Sequence, residues 1–183
     1  MGDGACLVAG RGPAGAARVR LSPARLPGHL ARWAEGECVP LIRAEEGAAE
    51  GVLAEGFLPE DIARLEYYEG GFLYGLSPMT LEAGDRRVEA RVFFPEGGAW
   101  AVGEPFDLGV WEARWGAITL GAAADYMAGY GRYSAGEQVR RFPRMRARAW
   151  SRVIAGETPV TADVRLGPGT ETVEVLRRRR KHE

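Results

Sequence analysis

At 183 residues, 46% hydrophobic and 27% charged, the chain has the composition of one globular domain with a real core rather than of a disordered polymer. A net charge of −1 argues against a protein built as a whole to bind polyanions. Cys6 and Cys38 make neither a disulfide framework nor a metal-ligand spacing, and no apolar run approaches the length of a membrane span, so a reducing cytoplasm is the expected setting.

The first twenty residues carry the least pattern. Ala5–Ala9 reads as a short buried strand, and Gly10-Arg-Gly-Pro-Ala-Gly15 has the glycine spacing of a dinucleotide-binding turn. That turn needs a long helix behind it and a parallel sheet around it. Pro23 and Pro27 follow instead, with no strand–helix–strand rhythm, so the segment is read as a flexible Gly/Ala/Pro stretch and no cofactor is expected. The N-terminus also lacks the basic-then-apolar order of a secretory signal.

From Leu21 to Val92 the text is mostly short strands. Arg25–Trp33 mixes apolar and polar positions. Cys38–Ile42 is a short strand that Pro40 marks as an edge or bulged one. Glu50–Phe57 is a further strand whose glycines suggest bulging. Phe72–Leu81 and Arg87–Phe94 form a hairpin across the turn signal Glu82-Ala-Gly-Asp-Arg86, with Val88, Ala90 and Val92 on one face and Glu89, Arg91 and Phe93 on the other. Many short strands with little helix between them predict an α+β fold, with a small, mostly antiparallel sheet curling toward a barrel.

Between these strands lies a helix. Pro59 suits a first helical turn, Glu60 and Asp61 place negative charge at the positive end of the helix dipole, and Ile62 and Leu65 recur at helical spacing. Gly70 and Gly71 stop the helix. Glu69 lies four residues past Leu65, which puts a carboxylate on the apolar face at the helix end. Such a group is either a solvated helix terminus or, where it is buried, a carboxylate with a pKa raised toward neutrality, as a general base requires. Glu66, one residue past Leu65, is the second carboxylate that could couple to it.

After Pro95 the texture becomes helical. Asp107 is a predicted N-cap, and Trp111, Trp115, Ile118, Ala122, Tyr126 and Tyr130 trace an amphipathic stripe expected to dock on the sheet. Gly129 and Gly131 end that helix. Ser134 and Glu137 form a capping box for another, traced by Val139, Phe142, Trp150 and Val153 and interrupted or restarted at Pro143. Its arginines read as a solvated face, and a nucleic-acid or phosphate surface is the minor reading because no aromatic stacking platform accompanies them. Residues 1–155 are therefore assigned to one domain with an atypical first twenty residues, and 156–183 to a linker or mobile basic tail.

Only His29 and His182 are histidines, and neither has Cys, His or Asp neighbours suited to a metal. Acid–base chemistry near neutral pH then falls to a carboxylate, and Glu69 has the strongest pattern behind it.

Leu65-Glu-Tyr-Tyr-Glu-Gly-Gly-Phe-Leu-Tyr74 resembles the central motif of the gamma-glutamylcyclotransferase-like (AIG2-like) family, which runs Leu-Asp-x-x-Glu-Gly and then a tyrosine and a strand. Gly51-Val-Leu53, Glu89–Phe94 and Arg25–Leu41 resemble the flanking strands, so the likeness covers residues 21–95. The later helices resemble a bacterial subset in which this domain precedes a Nudix hydrolase domain. The chain has no Nudix box, and Thr172–Leu176 looks like the start of that second domain. The resemblance implies a small mixed barrel with flanking helices. It implies cyclisation of a γ-glutamyl amine to 5-oxoproline, with Glu69 as the catalytic acid and base and with Gly70 and Tyr74 at the substrate; Gly10, Arg11 and Gly12, which do not match the family's substrate loop, are expected to offer backbone donors in its place. The implied partners are a small γ-glutamyl molecule and a Nudix hydrolase domain, with neither membrane nor metal. The alternative it carries is a non-catalytic accessory module for such a hydrolase.

The sequence departs from the family in three places. The family's Tyr-Gly-Ser/Thr-Leu substrate loop is not found, and Cys6–Gly12 stands where it belongs. A shifted or mis-started N-terminal reading frame is one explanation of that. The tyrosine after Glu69-Gly70 comes one residue late, and Gly75-Leu76 replaces an arginine often seen next.

Overall fold

Two long strands, each with a polar outer face, frame the sheet. In the computed structural model, which describes residues 19–157, β1 (Arg20–Ala34) pairs antiparallel with β2 (Pro40–Glu55) along almost its whole length. The two short strands expected at Cys38–Ile42 and Glu50–Phe57 are the ends of this single β2. The charged middle that separates them in the sequence is held by pairing across the ladder. Arg32 donates to the Glu45 carboxylate through Nε and Nη2, and Arg25 Nε donates to Glu50 at 2.8 Å. Pro40 opens β2, which lies at the sheet edge, where a missing N–H costs no ladder bond. The bulge sits between Pro27 and His29, opposite Gly47 (φ 140°), where Gly28 takes φ 71°.

α1 (Pro59–Gly70) follows, then the hairpin β3 (Tyr74–Ala83) and β4 (Arg86–Pro95), which turns on Gly84 at φ 59°. The short β5 (Val102–Pro105) pairs with the far end of β1, at Arg32 and Ala34. β1 meets β3 at Arg25 and Glu82, which gives the order β2-β1-β3-β4. Every pairing is antiparallel. The expected barrel is not formed: among the described residues the outer strands β2 and β4 share no ladder, and the sheet stays open. β1 explains this. Its second edge is divided between β3 and β5, so the sheet branches where closure would need one continuous edge.

Alternation along the strands places Ala24, Leu26, Ala49, Leu53, Leu81 and Ala83 in a sheet core, with Val88, Ala90 and Val92 packed against it. Phe93 points the other way, into a second core built by the helices.

That second core has a different origin from the one expected. Asp107 caps α2 (Leu108–Trp111), its Oδ1 accepting from Val110 N at 2.8 Å. The chain widens through a π-helical turn (Glu112–Gly116) and continues as α3 (Ala117–Met127). The aromatic stripe on this run packs chiefly against α1 and against α4 (Ala135–Ile154), with Phe93 as the sheet's contribution. Gly121 and Ala122 are the reason: a Cβ at Gly121 would stand 3.2 Å from Ala149 Cβ, so α4 approaches closely and takes the face. α4 starts at the Ser134–Glu137 box, where Glu137 Oε2 accepts from Ser134 N at 2.8 Å. It runs unbroken through Pro143, contrary to the expected interruption. Among the described residues no helix is long and apolar enough to cross a membrane. Residues 1–18 and 158–183, with the expected strand, glycine turn and basic tail, lie outside the described part.

Candidate functional site

Three local devices hold Glu69. Asp61 Oδ2 accepts from Leu58 N at 2.9 Å and sets the start of α1. One turn on, Leu65 is 5% exposed and anchors the helix in the helical core, a burial worth about 1.5–3 kcal/mol. One further turn along this anchored face comes Glu69. The helix then stops. Phe72 N donates to Glu69 O at 2.9 Å, and Gly71 lies so close to Tyr126 that any side chain there would run into its hydroxyl. Gly70 faces open space.

Leu73 completes the turn at φ 63°, the one non-glycine residue among those described with a left-handed backbone. Glu96 N donates to its carbonyl at 2.8 Å. The reversal sends β3 off with Tyr74 as its first residue, five residues from Glu69 on the other limb. Tyr74 Oη donates to Pro40 O at 3.0 Å, and Trp111 Nε1 donates to Cys38 O at 2.9 Å. The β1–β2 loop is thus tied at Cys38 and, where it enters β2, at Pro40. Trp100 Nε1 donates to Phe72 O at 3.3 Å on the near side of the turn.

The electrostatics follow from this packing. Burial lifts the Glu69 carboxyl from the ordinary 4.5 to about 7. Burial is its one resolved cause: among the described residues no side chain donates a hydrogen bond to this carboxyl and no cation lowers its pKa. Glu69 nonetheless keeps partial solvent exposure. Tyr74 is pushed up to about 12 by burial and, second, by Glu69. Tyr68 and Tyr126 are also raised, mainly by burial, and Glu69 adds to both. Of these four groups, Glu69 alone gains and loses a proton near neutral pH, while the phenols stay protonated.

The structure brings Glu69 and Tyr74 together and places Gly70 at the helix end between them. Gly10, Arg11 and Gly12 lie outside the described residues. Glu66 is not the partner of Glu69: it is exposed, pairs with Arg91 at 3.7 Å, and contributes nothing resolved to the Glu69 shift. Tyr68, Gly71, Leu73 and Tyr126 belong to the site and were not singled out for it from the sequence. Tyr126 was legible only as a core position, and Gly71 only as half of a glycine pair. Leu73 carries no local signal for its conformation.

Among the described residues no group of three or more His, Cys, Asp or Glu side chains is placed to hold a metal ion. No protein-family model matches the chain, and neither a curated protein nor a solved structure does.

Proposed function

We propose that the chain is a gamma-glutamylcyclotransferase-like enzyme in which Glu69 is general base and then general acid. The observation that carries this is a partly exposed carboxyl at the end of α1, lifted to about 7 by burial and, among the described residues, without a compensating cation. The likeness of Leu65–Tyr74 to the family motif supports the same residue independently.

The reaction carries two protons from the α-nitrogen to the leaving nitrogen. The α-ammonium of a γ-glutamyl amine is no nucleophile until Glu69 takes a proton from it. The freed amine attacks its own γ-carbonyl and forms the ring C–N bond. Ring closure is intramolecular, so holding the substrate folded supplies much of the rate. Protonated Glu69 then gives its proton to the leaving nitrogen, and the ring nitrogen, which still carries two hydrogens after the attack, passes its extra proton through the same carboxylate to the departing amine. The γ C–N bond breaks, and 5-oxoproline and a free amine leave. No water is consumed and no electron changes hands. In this reading Tyr74 and the backbone at Gly70, with Gly10 to Gly12, border the substrate, and the reaction runs in a reducing cytoplasm.

The test is direct. Incubation with γ-glutamyl amino acids and γ-glutamyl amines is expected to yield 5-oxoproline, and Glu69→Gln is expected to lower kcat by a factor of about 100 or more. No product from any of these substrates, or undiminished turnover in Glu69→Gln, overturns the reading.

A further inference from the structure

A second concave feature lies away from Glu69. It is an open groove along α3 and α4, bordered by Asp125, Gly129, Tyr133, Arg141, Arg144 and Arg148. Three arginines at spacings of three and four fall on one face of α4, and at a rise of about 1.5 Å per residue they span roughly 10 Å. Gln138 and Met145, 2% and 5% exposed, root that face in the protein. Gln138 Nε2 donates to Tyr126 O at 2.6 Å and so fixes the head of the groove to the end of α3.

The charges along this face are not balanced. Asp125 is shared by two guanidinium groups, Arg152 Nη2 at 2.6 Å and Arg148 Nε at 3.6 Å. Among the described residues Arg141 and Arg144 have no carboxylate partner within ion-pair distance. The acid nearest in sequence, Glu137, accepts from Ser134 N and Oγ on Oε2, each at 2.8 Å, and acts on Arg141 through space without forming an ion pair with it. Arg141 is also held in place: its guanidinium lies 3.7 Å from the centroid of the Tyr133 ring, which is 40% exposed. A guanidinium held against a ring loses less freedom when its remaining N–H donors engage a ligand.

We propose that this groove binds a compact phosphate-class anion, diphosphate being the type. Forked N–H donors match pairs of phosphoryl oxygens. Two arginines without an ion-pair partner among the described residues and one that shares Asp125 suit two adjacent phosphoryl groups. A long polyanion fits less well. Asp125 would repel a continuous phosphate backbone, and the chain as a whole is slightly acidic. The site does not depend on the chemistry assigned to Glu69.

Calorimetric titration of the full chain with inorganic diphosphate at low ionic strength tests it. Saturable one-to-one binding is expected, weakening as salt rises. Arg141→Ser with Arg144→Ser should lower affinity tenfold or more and leave the circular dichroism spectrum unchanged, because both side chains are exposed. Asp125→Asn should raise affinity severalfold, a change in the opposite direction that misfolding would not produce. Glu69→Gln should leave binding unaltered. Three results overturn the proposal: no binding by the wild type, equal binding by the double arginine variant, or tighter arginine-dependent binding of a single-stranded oligonucleotide than of diphosphate.

Discussion

The Tyr126 hydroxyl occupies the space that a side chain at Gly71 would need. Tyr126 is fully buried, and its hydroxyl donates toward Ala135 O at 3.2 Å and Tyr67 O at 3.4 Å, so it has little freedom to withdraw. Gly71→Ala should therefore cost about 1–3 kcal/mol, the range for overpacking a filled core. Gly70→Ala meets nothing within 4 Å and has an ordinary helical backbone, so it should be neutral or stabilise by up to about 1 kcal/mol through helix propensity. Urea denaturation of the two variants separates them, and equal losses would contradict the packing described.

The second prediction concerns pH. An acid whose pKa is higher folded than unfolded binds more protons in the folded state across the interval between the two values. Stability from Glu69 is therefore fully present below about 4.5 and is lost as pH rises to about 7. A rise from 4.5 to about 7 corresponds to a penalty on the order of 3 kcal/mol above neutrality, at about 1.4 kcal/mol per pH unit. Glu69→Gln keeps the shape and removes the charge. It should be more stable than wild type at pH 8 and close to it at pH 4.5, as read from urea midpoints at the two pH values. A variant with no pH-dependent advantage would mean that the carboxyl is not buried.

A third prediction follows from the pinned loop. Tyr74→Phe removes the donor to Pro40 O and leaves that carbonyl without its partner, a loss of about 1 kcal/mol. The loop retains its second tie through Trp111 to Cys38 O, so the global fold should persist. Amide exchange at residues 35–39 should speed up more than at Leu65. Uniform acceleration would show that the bond supports the whole fold rather than the loop.

How much of this was legible in the sequence depended on whether the signal was local. α1 could be read because Pro59, Asp61, Leu65 and the two glycines all act within a few residues of themselves. The β3–β4 turn at Gly84 and the Ser134–Glu137 box were legible for the same reason. The long β2 was hidden because Arg32 and Arg25, distant in sequence, hold Glu45 and Glu50 in a stretch with no apolar alternation. The open sheet was hidden because nothing along β1 marks where its edge passes from β3 to β5. The aromatic stripe on α2 and α3 was legible as a buried face. What covered it was not, since that depended on Gly121 meeting Ala149. At the site, the position of Glu69 could be read from spacing, but its burial without a cation among the described residues is a property of the packed molecule.

Leu73 supplies the last prediction. A left-handed backbone costs an L-residue about 1–2 kcal/mol, and Leu73 is half exposed, so its side chain recovers little of that through burial. Glycine would remove the strain but lose about 0.5–1 kcal/mol to its greater freedom when unfolded. Leu73→Gly should thus stabilise by at most about 1 kcal/mol. Leu73→Ile, branched at Cβ, should destabilise, because branched residues tolerate this conformation worst. The functional outcome should run the other way. Leu73 sits in the turn that sets Tyr74 against Glu69, and backbone strain held at such a point fixes geometry that a glycine would let drift. If the Glu69 chemistry proposed above holds, Leu73→Gly should form 5-oxoproline more slowly than wild type while melting no earlier in urea. A variant that is both more stable and equally active would show that the strained turn plays no part in positioning the site.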